Sequence, residues 1–317
     1  MQSIDIKSVG RKTSITSAIG HALSWAAAML LFAACLGIVG YLLLKGIQSV
    51  NWAFLTTDPS PSLDEGAGGG VRVPIVGTFV LVCLSMIVAV PIAIAASVYL
   101  AEYMDESKRF TRGIRIGLEV LASVPSVVFG MFGLAVFTLP VFVFLSASGS
   151  ENASAAFGRS FVVASIVMGI HVLPFIVKVC EEAIKAVPQS FRSGAAALGM
   201  TKWRAVRKVV LPAAGPGIAT GVVLGMGLAA GDTAIVWLTL GGTMTMASDQ
   251  WWSPQNWMTV LKGTGSTLTT FTYFNSPAGE GNSEALAFGA ALVLIALVLA
   301  LNFAALAIAR SQQRAGR

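Results

Sequence analysis

The chain has 317 residues, of which 55% are hydrophobic, 33 are glycine and only 11% are charged. A typical soluble domain carries roughly 25% charged residues, so composition excludes both an ordinary soluble enzyme and a disordered chain. The formal charge of +6 would suit a nucleic-acid binder in bulk, but its distribution along the chain assigns it to membrane orientation, with no nucleic-acid partner.

Six apolar runs are long enough to cross a hydrocarbon core of ~30 Å. They lie at about 20–44, 73–100, 113–146, 159–180, 213–240 and 285–309, which makes this an all-α membrane protein with about six transmembrane helices. The first run is too long for a cleaved signal peptide, and it continues past Cys35 to Leu44, so Phe32-Ala33-Ala34-Cys35 is not a lipoprotein box. Residues 57–70 (TDPSPSLDEGAGGG) form a Pro, Gly and acid-rich connection. The third run is too long for one perpendicular helix and is expected to break near Gly130–Gly133. Residues 146–158 are a polar linker; Asn152-Ala153-Ser154 matches a glycosylation acceptor, a three-residue pattern read here as a chance match. Between runs four and five, residues 181–212 read EEAIKAVPQSFRSGAAALGMTKWRAVRKVVLP, two polar helical segments separated by Gly199. Glycine there suits the left-handed turn that ends a helix, and Pro212 suits the first turn of the next. In run five, Gly217, Gly221 and Gly225 recur every four residues and Gly227 is followed by Gly231, a stripe for close packing or for one helix sliding on another. Residues 241–284 are a long connection with Trp251, Trp252 and Trp257, fitting an interfacial aromatic belt or a docking surface.

Lys and Arg orient the chain. Seventeen of the 21 lie in the N-terminal tail, around 101–112, in 178–212 and in the C-terminal tail, and the other four are Lys45, Arg72, Arg159 and Lys262. The positive-inside rule then places both termini and the 181–212 segment in the cytoplasm.

Ionisable residues inside apolar runs are costly and are functional candidates. Glu119 stands four residues after Arg115, on one helix face where the two can pair. Ser123 and Ser126 flank Pro125, which removes a backbone hydrogen bond and can open a helix toward a cavity. Asp232, between Gly231 and Thr233, is the second acid. His21 and His171 have no second ligand at metal spacing and read as packing or interface residues; Cys35, Cys83 and Cys180 give neither a metal site nor a disulfide framework. The chain has no G-x4-G-K-[ST], and Gly263-Thr264-Gly265-Ser266-Thr267 lacks its lysine. No side chain is nominated for covalent chemistry, so any ATP-driven transport needs a partner chain for hydrolysis.

The 181–212 segment resembles the coupling loop of type I ABC importer permeases, E-A-A-x3-G-x9-I-x-L-P. Ala195, Gly199, Val209, Leu211 and Pro212 fall at its spacing, while Ser193 and Gly194 replace its Glu and first Ala. Residues 66–103, the stretch EVLASVPSVVFGMFG at 119–133 and GLAAGDTA at 227–234 resemble the phosphate-specific permeases, the A-type more than the C-type. In that family Glu stands where this chain has Asp232, and Arg where it has Leu228. The resemblance implies an importer transmembrane domain over 66–310, preceded by a tail, first helix and external loop (1–65) and followed by a cytoplasmic tail (311–317). It implies a coupling helix carrying Ala195, Ala197, Leu198 and Gly199, and it places Asp232 where the family has Glu; with the intramembrane acid and proline-break readings, the candidate substrate path comprises Arg115, Glu119, Ser123, Pro125, Ser126, Gly231, Asp232 and Thr233. It also implies a multi-pass bacterial inner-membrane protein working with a second, C-type permease, a dimer of ATPase subunits that use ATP and Mg, and an external phosphate-binding protein. No cofactor bound by this chain itself is expected. The residues taken alone also fit a permease for another oxyanion or a phosphonate, or a stand-alone secondary transporter or channel, although a channel would not need the long 181–212 segment.

Overall fold

A computed structural model of the chain describes residues 15–59, 69–104, 109–146, 158–246, 248, 251–281 and 283–315. The expected N-terminal tail, most of the 57–70 and 146–158 connections with the Asn152 sequon, and the boundary at 65–66 lie outside these residues. The described chain is helical, with no strand.

In order, the helices are α1 (Ile15–Gly46), α2 (Trp52–Thr56), α3 (Arg72–Val98), α4 (Arg109–Ser123), α5 (Ser126–Phe137), α6 (Phe161–Lys185), α7 (Gln189–Ala197), α8 (Lys202–Ala205), α9 (Leu211–Gly231), α10 (Ala234–Thr239), α11 (Trp257–Lys262), α12 (Leu268–Asn275) and α13 (Glu284–Ala315). A π turn, Tyr99–Tyr103, extends α3; another, Val206–Val210, joins α8 to α9; 3-10 turns lie at Pro140–Leu145 and Pro254–Asn256. Five helical stretches are long and apolar enough to span a membrane, or six if the bent pair α4–α5 counts as one span.

The centre of the bundle is α6 against α3, where Phe161, Met168, Val172 and Ile176 meet Leu81, Val82 and Ala89 in one fully buried apolar cluster. Helix α9 closes onto α6 through the glycine stripe. A Cβ on Gly217 would stand 2.3 Å from Ala183 Cβ, on Gly225 2.6 Å from Ile176 Cδ1, and on Gly221 3.1 Å from Cys180 Sγ. Gly227 and Gly231 have no such neighbour within 4 Å, so the stripe divides into a packed half and an open half. Helix α1 is exposed along most of its length and reaches the bundle through α13, where Tyr41 meets Phe288 edge to face at 5.5 Å. Such an apolar rod is at home in lipid.

The structure redraws two expected spans. The third breaks not at Gly130–Gly133 but at Val124–Pro125, where α4 and α5 meet at 100°. Proline has no N–H to continue the ladder and pushes the preceding residue out of the helical region. Gly130 and Gly133 instead stay helical and buried, because their missing side chains admit Leu238 of α10 and Val167 of α6. The fifth span begins earlier than expected, at Lys202, and ends at Gly231, with α10 a separate helix.

The 241–284 connection is more than a surface belt. Its segment 264–270 is buried against α3, and the Leu268 N–H donates to Thr78 Oγ1 at 2.9 Å. Gly77 makes this approach possible, since a Cβ there would lie 2.0 Å from the Ser266 carbonyl oxygen. Thr267 and Thr270 close a reciprocal capping box that starts α12. Trp252 and Trp257 remain exposed, while Trp251 packs against the central cluster.

Candidate substrate path and coupling segment

At the centre of the bundle one helix stops and another starts. Asp232 takes an extended conformation (φ −77°, ψ 124°) and ends α9. Its Oδ1 accepts the Ile235 N–H at 2.8 Å, satisfying one of the donors that a helix start leaves without a partner. Thr269 of the buried connection donates its hydroxyl to the Asp232 carbonyl at 3.4 Å. Asp232 and Thr233 are half-buried and Gly231 is exposed. Here Asp232 is a helix cap whose Oδ2 accepts no hydrogen bond among the described residues.

Gly130 of α5 lets that helix lie against Ala234, Ile235 and Leu238 of α10, just beyond the break. Phe129, one turn after Ser126, packs edge-on against His171 of α6 with ring centres 5.0 Å apart, and Phe175 meets the same imidazole at 6.3 Å. His171 lies within electrostatic range of Asp232, and its Nδ1 is buried without a hydrogen-bond partner among the described residues. Ser126 is half-buried, whereas Ser123 and Pro125 are exposed and the Ser123 hydroxyl turns back onto the Val120 carbonyl at 2.8 Å.

Arg115 and Glu119 belong elsewhere. Arg115 Nη2 donates to Glu181 Oε1 at 2.8 Å, and Lys185 joins the same oxygen at 2.8 Å; Glu119 is exposed. Glu181 is ten residues beyond His171 on α6, which at 1.5 Å per residue is ~15 Å along the axis. Of the expected path residues, Arg115 therefore belongs to an ion-pair cluster at the α7 end of the bundle, while Gly231, Asp232 and Thr233 stand together at the helix break. His171, read as a packing residue, does pack between Phe129 and Phe175; Thr269 and Glu181 are contacts that sequence reasoning missed, since a loop threonine and one acid of a Glu-Glu pair carry no local pattern.

At the α7 end, the segment with the coupling-loop spacing is a short arm folded against the bundle. Helix α7 ends in a complete Schellman motif. The Gly199 N–H donates to the Ala196 carbonyl (2.9 Å), the Met200 N–H to the Ala195 carbonyl (3.1 Å), and Gly199 has φ +73°. Ala195 is buried, Ala197, Leu198 and Gly199 face outward, Val209 and Leu211 are half-buried, and Pro212 is exposed on the helix that continues into the bundle. Leu198 is 83% exposed, and Phe191 and Trp203 are exposed beside it. These apolar side chains, displayed on a polar segment, make the arm a candidate partner surface. Between the arm and the end of α3 lies a groove of about 630 Å³ lined by Glu102, Lys185, Gln189, Arg192, Ser193 and Met200, among others. Ser193, at the place of the coupling-loop glutamate, is one of its walls.

A bundle of long apolar helices with a broken helix at its centre and a displayed arm at one end is the architecture of a membrane permease that answers to a partner. Residues 93–315 match the family described as binding-protein-dependent transport system inner membrane component, and the chain belongs to that family. Among curated relatives, it is 30% identical to a probable ABC transporter permease protein, YqgI, of Bacillus subtilis, over 92% of this chain and 94% of that one. It is 30% identical to the phosphate transport system permease protein PstA 2 of Mycobacterium bovis (92% and 89% covered). It is also 31% identical to the phosphate transport system permease protein PstC of Pasteurella multocida (78% and 77%). Its fold is that of the type I ABC importer permeases: a chain of the bacterial alginate ABC transporter, solved with an alginate-bound periplasmic protein, superposes with a TM-score of 0.58 at 18% identity, over 94% of this chain and 98% of the other.

Proposed function

We propose that this chain is the permease subunit of an ATP-driven importer of inorganic phosphate in the bacterial inner membrane. The observation that carries the reading is Asp232, an acid at a helix break with one carboxylate oxygen engaged by the Ile235 N–H and the other accepting no hydrogen bond among the described residues. Near pH 7 phosphate is partly monoprotonated and offers an O–H to such an oxygen, whereas fully deprotonated sulfate offers none and meets repulsion. Selectivity of this kind comes from disfavouring the wrong ligand as much as from binding the right one. The relatives named as phosphate permeases, at about 30% identity, support the same substrate class.

In this reading both termini and the α7 arm are cytoplasmic, as the distribution of Lys and Arg requires. An external binding protein delivers phosphate to the opposite end, and a second permease of the C-type completes the pathway. Two ATPase subunits, using ATP and Mg, engage the arm around Leu198 and Gly199. Rigid-body motion of the arm is passed to α6 and α9, with which it is continuous. The reading is tested by reconstituting the permease pair, the ATPases and the binding protein in vesicles. Labelled phosphate should enter only with ATP on the arm side and should not be displaced by a hundredfold excess of sulfate. Displacement by sulfate, or uptake of a phosphonate in preference, would replace phosphate with that ligand.

A further inference from the structure

Arg192 stands at the fourth position of α7, where the arm folds back on the bundle. Its Nε and Nη2 donate to Glu102 Oε1 at 2.9 and 2.7 Å. Its Nη1 donates to the Val187 carbonyl at 2.5 Å, and Nη2 also donates to the Ile184 carbonyl at 2.9 Å. Glu102 belongs to the π turn that extends α3, Ile184 to the last turn of α6, and Val187 to the connection after it. Both side chains are largely withdrawn from solvent, at 19% and 7% exposure. One guanidinium therefore ties three elements together. The Ile184 carbonyl also accepts the Val187 N–H at 3.3 Å, and a planar five-donor fork makes four bonds to two carbonyls and a carboxylate at once, one more than the three donors of a lysine. Lys202 adds a second contact to the same π turn, its Nζ lying 4.9 Å from the centre of the Tyr103 ring. Val98, Ile184, Val187, Val206 and Val210 form a separate apolar cluster at this end.

Helix α7 is covalently continuous with α6 and, through α8, with α9, but it has no covalent path to α3 shorter than the whole intervening chain. We propose that the Arg192–Glu102 pair is a direct polar link from the coupling arm to α3, added to the apolar packing of α3 against α6, through which the arm's motion reaches all three central helices. Arg192 acts as a positioning residue, touching neither the transported anion nor nucleotide. The proposal rests on the reading of α7 as the coupling segment.

Deleting one partner of a buried pair leaves an uncompensated charge and confounds coupling with folding, so the test uses conservative changes. The complete complex carrying Arg192→Lys, Glu102→Gln or both is reconstituted in vesicles, with inorganic phosphate as probe. The quantity read is phosphate taken up per ATP hydrolysed. The assembled single variants should lower this ratio about tenfold while ATP hydrolysis persists, the size expected for weakening a charge-assisted, part-buried bond. The double variant should be no worse than either single one, because both remove the same link. An unchanged ratio in assembled complexes, multiplicative losses in the double variant, or failure of the single variants to assemble each overturns the proposal. Leu198→Asp separates the levels. If it too leaves the ratio intact, the reading of α7 itself fails; if it uncouples while the Arg192 and Glu102 variants do not, only the link is wrong.

Discussion

At the scale of single residues, Asp232 has two jobs that substitution can separate. Asparagine caps a helix about as well as aspartate, so Asp232→Asn keeps the acceptor for the Ile235 N–H and removes only the charge. The expected outcome is a complex that assembles normally, takes up phosphate about ten- to a hundredfold more slowly, corresponding to 1–3 kcal/mol for an unsatisfied polar contact, and discriminates less against sulfate. Competition between labelled phosphate and sulfate in vesicles checks it. Asp232→Ala removes the cap as well and should cost a further ~1 kcal/mol of stability. Normal uptake and selectivity in the Asn variant would take Asp232 out of the path. Gly77 offers a purely structural counterpart. A methyl group there would collide with the Ser266 carbonyl oxygen at 2.0 Å, and that neighbour is backbone. Gly77→Ala is expected to destabilise the purified subunit by about 1–3 kcal/mol, read as a lower thermal unfolding midpoint in detergent.

At the scale of elements, the glycine stripe of α9 and the arm at α7 make opposite demands. The stripe must be small where it meets α6. Gly217→Ala places a Cβ 2.3 Å from that of Ala183, whereas Gly227→Ala meets nothing within 4 Å. The first should lower the unfolding midpoint of the isolated subunit, and the second should leave it unchanged or raise it slightly, since alanine favours a helix over glycine by ~1 kcal/mol. The arm must instead keep its shape and its display. Gly199→Pro removes the left-handed residue (φ +73°) on which the Schellman turn depends, and Leu198→Asp puts charge on an 83% exposed apolar side chain. Both should abolish binding-protein-stimulated ATP hydrolysis and uptake while the chain still inserts into membranes. Retention of both activities in either variant would mean that the ATPase docks elsewhere.

At the scale of the whole molecule, the six-span reading predicts that the C-terminus and the 241–284 connection lie on opposite sides of the membrane. Reporter fusions after Arg317 and after Ser276 should give opposite signals, and equal signals would break the topology. The bent pair α4–α5 bears on the same question, because a 100° junction leaves two half-length helices in place of one perpendicular span.

The sequence by itself determined the class of structure, the number of spans to within the bent pair and the turn at Gly199. These rest on run length, on proline and glycine chemistry and on where charges are tolerated, all of which act over a few neighbouring residues. The tertiary structure alone decided where the third span bends, because Gly130 and Gly133 are explained by α10 and α6 and not by their own neighbours. It decided that Glu181 is a partner of Arg115, that His171 lies within range of Asp232, and that Arg192 reaches Glu102. Residues 102 and 192 are ninety positions apart, and only the packing of α3 beside α6 and α7 brings them together.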